Sequence, residues 1–134
     1  MPRRAEEKMR RPIILFLLAR DLGYNEIGAY GQKIIRTPEL DKLAESSMKF
    51  TNFYAGNAAC SPSRVVLLTG KTPTKVAIRG NLVYFGNDKW EGAALDQDAF
   101  TLREMLKGQG YQTAFIGKWH LDHPDDVNTK ASGH

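Results

Sequence analysis

The sequence has one cysteine, Cys60, so no intrachain disulfide can form and cysteine usage carries no information about redox compartment. It also lacks a long apolar run. The longest early one, Ile13 to Ala19, is too short to span a bilayer core, so no membrane partner is expected. Basic residues precede that run as they do in a secretory leader. Arg20-Asp21 follows it, however, where a leader would have a small-residue cleavage site, so the run reads as a buried strand and no clear signal peptide is found. There is no internal repeat and no low-complexity segment. The charge excess is modest: 19 Lys and Arg against 15 Asp and Glu, net +4, much of it in Arg3, Arg4, Lys8, Arg10 and Arg11. No aromatic residue is interleaved with that cluster and no base-reading motif follows. Residues 1–11 therefore read as a solvated basic tail, and nucleic acid is not an expected partner.

What remains is an ordinary globular composition, 42% hydrophobic and 25% charged over 134 residues, enough for one core. Ile13 to Leu18 is a continuous apolar run of the kind that forms a central parallel strand, ending in the polar loop Arg20-Asp21-Leu22-Gly23. Thr37 as cap and Pro38 at the first position predict a helix to about Ser47, with Leu40, Leu43, Ala44 and Met48 as its apolar stripe. A short strand is expected at Lys49 to Tyr54. A second helix is expected from Ser61-Pro62, with Ser61 as the cap, to Gly70 as a left-handed stop. Residues 71–96 read as an extended loop region with a short strand near Leu82 to Phe85. A third helix is placed at about Asp98 to Lys107, with Phe100, Leu102, Met105 and Leu106 toward the core, and a further strand at Tyr111 to Ile116. The alternation of strand and helix predicts an α/β layered fold with a mainly parallel sheet. Ligands bind beyond the carboxyl ends of such strands, where Asp21, Cys60 and Lys118 fall.

Cys60 stands just before a helix start, where free N–H groups and a partial positive charge favour anions, and Arg64 follows one turn later. A lone cysteine is more often a buried structural residue. The surrounding residues change that balance. Cys60-Ser61-Pro62-Ser63-Arg64 with Leu68-Thr69-Gly70-Lys71 resembles the signature of the type I sulfatases (arylsulfatase-like, formylglycine-dependent). Three other segments resemble the same family in the same order. Leu18 to Tyr24 is similar to its first metal loop. Thr37 to Ala44 with Phe50 to Ala55 is similar to the helix and strand before the signature. Gly110 to Leu121 is similar to its second active-site motif. The resemblance runs from about Pro12 to Leu121.

The resemblance implies an alkaline-phosphatase-like fold, with residues 12–121 as the amino-terminal part of the catalytic domain and 122–134 as a polar tail or loop. It implies a hydrolase of sulfuric esters. A formylglycine-generating enzyme reads the Cys, Pro and Arg of the signature and oxidises Cys60. The hydrated aldehyde, assisted by Ca²⁺ or Mg²⁺, then attacks a sulfate ester. Arg64 holds the hydrate, Lys118 contacts the sulfate, and His120 hydrogen-bonds the formylglycine hydroxyl. Lys118 and His120 lie two residues apart, on one side of an extended segment. Asp21 and the modified Cys60 are metal ligands. Arg20 stands where the family usually has the first of two adjacent aspartates, and it is not expected to bind.

The resemblance also implies that the remaining metal ligands, and a further His and Lys at the sulfate, come from later sequence. Asp125-Asp126 has no motif support as a substitute. His123 and His134 read as solvent-exposed, and Trp90 and Trp119 as core residues or cleft walls. Two alternatives stand beside the sulfatase reading. One is a non-catalytic remnant or interaction module that self-associates through an open sheet edge. The other is a phosphoesterase of the alkaline-phosphatase-like superfamily, whose nucleophile would be Ser or Thr. Relatives of this family are often periplasmic, secreted or lysosomal; the location of this chain is open.

Overall fold

The computed structural model describes residues 11–86 and 89–122. The basic residues before Arg11, together with His123, Asp125, Asp126 and His134, lie outside them. The chain divides into two compact units, Met1–Thr51 and Asn52–His134.

The first unit is built on turns and one helix, α1 (Pro38–Glu45). Thr37 caps it and Pro38 occupies the first turn, as the sequence predicts. Two 3-10 turns, Tyr24–Glu26 and Gly28–Tyr30, precede it. A shared polar knot ties the second turn to α1. The Thr37 hydroxyl accepts the Gly28 N–H at 2.8 Å and donates to Asp41 Oδ1 at 3.0 Å, and that same oxygen accepts the Ala29 N–H at 2.6 Å. Asp41 thus satisfies a donor that the short 3-10 turn leaves open. Tyr30 adds a second tie. Its ring sits 4.6 Å from that of Tyr24, its hydroxyl donates to the Phe50 carbonyl at 2.9 Å, and Lys49 Nζ donates to the Ala29 carbonyl at 2.9 Å.

Polar contacts dominate here because no described residue of this unit is fully buried. The expected stripe on α1 is largely solvent-facing: Leu43 is 58% and Met48 80% exposed, and the helix stops at Glu45, before Met48. Ile13 to Leu18 is likewise not a buried strand among the described residues. Ile13 is 98% exposed, and the run carries no regular element. A parallel strand needs a ladder on its edges and a layer on each face. The described residues of this unit supply neither.

The second unit has a true core. Helix α2 (Cys60–Thr69) is followed by a 3-10 turn at Pro73–Lys75, the hairpin β1 (Val83–Gly86) and β2 (Lys89–Glu91), and helix α3 (Leu102–Gly108). Val65, Val76, Ile78 and Leu121 are buried together, with Val66, Leu68, Ala93, Leu95 and Trp119 packed against them. Each of the four buried side chains contributes roughly 1.5–3 kcal/mol by burial. Val65 and Val66 are weak helix formers, so α2 depends on this packing more than on propensity.

Gly70 ends α2 as predicted. Its φ is 65°, and its N–H donates to the Val66 carbonyl at 2.9 Å, a left-handed stop that a side chain would strain. Helix α3 starts at Leu102, later than the expected Asp98. Thr101, 3% exposed, forms a capping box with Glu104: the Thr101 N–H donates to Glu104 Oε2 at 3.1 Å and its hydroxyl donates to the same oxygen. Phe100 therefore falls outside the helix and is 64% exposed, and Met105 is 44% exposed, while Leu102 and Leu106 are half-buried.

The only strands among the described residues are β1 and β2, which pair antiparallel with Val83 opposite Glu91. The short strand expected near Leu82 to Phe85 is therefore present. The runs at Lys49 to Tyr54 and Tyr111 to Ile116 form no strand, and the expected parallel sheet is not seen. No helix of the described residues is long and apolar enough to cross a membrane.

Candidate active site

Cys60 is not ahead of α2 but is its first residue; the cap is Ala59, not Ser61. The ladder opens with the Ser63 N–H donating to the Ala59 carbonyl at 3.1 Å, which places Cys60 and Ser61 inside the first turn. Ala59 has no side-chain acceptor, and two asparagines take the N–H groups on either side of Cys60. Asn57 Oδ1 accepts the Ala59 N–H at 2.9 Å, and Asn81 Oδ1 accepts the Ser61 N–H at 2.9 Å. Pro62 has no N–H to offer. These bonds change the expected chemistry of the helix start. Most of its first-turn donors are already spent within the protein, so the turn orients Cys60 more than it cradles an anion.

The loop before α2 is pressed onto the helix at Gly56. A Cβ there would run into the side chain of Val66, so the close approach requires glycine. Ser61 and Pro62 are buried, whereas Cys60 is half-buried and a free thiol. The signature therefore presents its cysteine and sinks the two residues that follow.

The second motif reaches the same helix. Arg64 Nη1 donates to the carbonyl of Lys118 at 2.5 Å, across 54 residues of sequence. Leu121, 1% exposed, anchors the end of that motif, and its carbonyl accepts the Leu95 N–H at 2.7 Å. Trp119 packs against the core and meets Phe115 edge to face, ring centroids 5.3 Å apart, so it acts as a core residue. The Trp90 side chain is outside the described atoms. Lys118 is exposed and His120 half-buried, with Nδ1 of His120 shielded from solvent.

The segment is not extended, however. Gly117 has φ 115° and His120 φ 59°. A left-handed residue breaks the two-residue alternation of a strand, so spacing alone does not put Lys118 and His120 on one side. The structure sets Cys60 and Arg64 one turn apart on α2 and bonds Arg64 to the Lys118 backbone. The sequence reading overlooked Asn57 and Asn81. Asparagine in a Gly-rich loop is common, and nothing in the pattern around Asn81 marks the distant helix turn that it caps.

Asp21 and Arg20 lie in the first unit. Arg20 Nε is 3.1 Å from Asp21 Oδ2, an exposed ion pair, and Asp21 itself has φ 53°. Among the described residues no group of three or more His, Cys, Asp or Glu side chains could hold a metal ion. One carboxylate that already faces a guanidinium does not make a site for a cation wanting six or more oxygens. The described residues do not fit the metal.

The structure thus presents a half-buried cysteine at a helix start, an arginine one turn on, and a Lys-Trp-His segment bonded to that arginine. Comparison with known proteins gives the class. The sulfatase family model matches residues 12–133. The chain is 41% identical over 110 residues to arylsulfatase A of Bos taurus, covering 82% of this chain and 21% of that protein. It is 40% identical over 120 residues to N-acetylgalactosamine-6-sulfatase of Sus scrofa, covering 84% and 22%. It is 43% identical over 115 residues to steryl-sulfatase of Mus musculus, covering 84% and 18%. This chain belongs to the sulfatase family. It spans about a fifth of the length of the curated relatives it matches. The family implies an alkaline-phosphatase-like fold and is generally formylglycine-dependent with a divalent metal.

Proposed function

We propose that this chain carries the nucleophile-bearing part of a sulfuric ester hydrolase site, with Cys60 as the formylglycine precursor. The observation that carries this reading is the placement of Cys60: half-buried, first in α2, and one turn from an arginine bonded to the Lys118 carbonyl. As an aldehyde hydrate, residue 60 would supply a hydroxyl that attacks the sulfur of a sulfate ester while the bond from sulfur to the departing alcohol oxygen breaks. Arg64 is already committed to the Lys118 backbone through one nitrogen, and its other donors remain to steady an oxyanion at position 60. Lys118 offers a compact ammonium to the sulfate oxygens, and His120 orients the hydroxyl. A formylglycine-generating enzyme is the partner this motif calls for. The exposed runs at 13–18 and 111–116 are proposed as strands of a mainly parallel sheet. The exposed Ile13, Leu15 and Leu17 support self-association of the isolated chain.

The metal side of the site is proposed to be incomplete as the residues stand. Asp21 is its natural first ligand, and Arg20 competes for that carboxylate. The 134-residue chain, co-expressed with a formylglycine-generating enzyme, is therefore expected to release no nitrophenol from p-nitrophenyl sulfate, with or without Ca²⁺ or Mg²⁺. Arg20→Asp alone is expected to leave it inactive. Metal-dependent turnover that vanishes on Cys60→Ala would show the site to be complete.

A further inference from the structure

The geometry points to Asn81 as a positioning residue for Cys60. Helix α2 begins with a residue that cannot cap it, since Ala59 has no polar side chain. The first-turn N–H next to Cys60, that of Ser61, is instead taken by Asn81 Oδ1 at 2.9 Å, from 20 residues away. Asn81 follows the buried Val76 and Ile78, which are 5% and 1% exposed and pack against Val65 of the same helix. The buried pair brings the exposed Asn81, three residues past Ile78, to the start of the helix. Asn57, two residues before Ala59, ties only the approach to the helix. Asn81 alone reaches past Cys60 to the residue after it. The pair clamps the backbone on both sides of the reactive position.

Fixing the backbone of a nucleophile matters because a small displacement at the reacting atom is costly in rate. The inference rests on reading Cys60 as the nucleophile's precursor, but its test needs no sulfate ester. The rate of Cys60 alkylation by iodoacetamide is measured in the full chain. Asn81→Ala is expected to raise it roughly three- to tenfold, the opening produced by losing a cap. Asn81→Asp, whose carboxylate still accepts the Ser61 N–H and whose charge opposes thiolate formation, is expected to react at or below the wild-type rate. Thr101→Ala, which uncaps α3 in the same unit, serves as the control and is expected to leave Cys60 unchanged. In the unaltered chain the Ser61 amide is expected to exchange slowly with deuterium for a first-turn position, so the idea remains testable should Asn81→Ala not fold.

Three outcomes would overturn it: equal alkylation in Asn81→Ala and the wild type, equal acceleration in Asn81→Asp and Thr101→Ala, or fast exchange at Ser61. Any of these alongside successful formylglycine formation at Cys60 would remove Asn81 and leave the proposed function standing.

Discussion

Grafted in place of the matched segment of bovine arylsulfatase A, residues 12–121 are expected to give a protein with almost no activity toward p-nitrophenyl sulfate until Arg20 is replaced by aspartate. The reason lies in the first unit. Arg20 adds a positive charge 3.1 Å from Asp21, the carboxylate proposed as the first metal ligand. An arginine in that place both withholds an oxygen ligand and repels the ion. Metal assistance supplies several kcal/mol in hydrolyses of this type, so the unaltered graft should fall at least about a thousandfold below its host. Arg20→Asp should recover roughly a hundredfold or more, since it supplies the missing oxygen and frees Asp21 together. Cys60→Ala should silence both grafts. Steady-state kcat/KM on each variant checks the pattern. Equal activity with and without Arg20→Asp would show that Arg20 is not the obstacle.

Leu121→Ala is expected to produce the largest stability loss, about 2–5 kcal/mol, as for other fully buried leucines. Leu121 is 1% exposed and closes the cluster of Val65, Val76 and Ile78. It also ends the segment whose Lys118 carbonyl is held by Arg64. Its removal should therefore loosen the core and the strap between the two motifs together. Hydrogen exchange at the Val65 and Ile78 amides, read alongside urea unfolding, measures both. A loss below about 0.5 kcal/mol, the range of ordinary surface changes, would mean that Leu121 is not the anchor described.

The parts that the sequence revealed are those whose cause is local. Gly70 stops α2 because a left-handed residue is needed within one turn of the helix end. Pro38 and Thr37 start α1 for the same kind of reason. The Cys60 to Arg64 spacing is itself one helical turn, so the motif and its geometry are read together. What was hidden depends on distant residues or on unfilled neighbours. The cap that Ala59 cannot make is supplied to the Ser61 N–H by Asn81, 20 residues beyond Ser61, and no window around Cys60 contains it. The left-handed turn at His120 has no glycine to announce it, so the segment read as extended. The apolar run Ile13 to Leu18 has the composition of a central strand, yet it stands exposed because a strand is stable only beside partners. Its pattern is that of a central strand, and the described residues do not pair it.

The account turns on Cys60 being the residue that becomes the nucleophile. The most direct test is the mass of the tryptic peptide 50–64 after co-expression with a formylglycine-generating enzyme. The expected result is conversion of Cys60 to formylglycine, trapped by a hydrazide probe, and its loss in Cys60→Ala and in Arg64→Ala, where the lost cleavage site extends the peptide to 50–71. A peptide that keeps its free thiol throughout, with the enzyme active on a control substrate, would contradict the assignment of Cys60 and with it the proposed function.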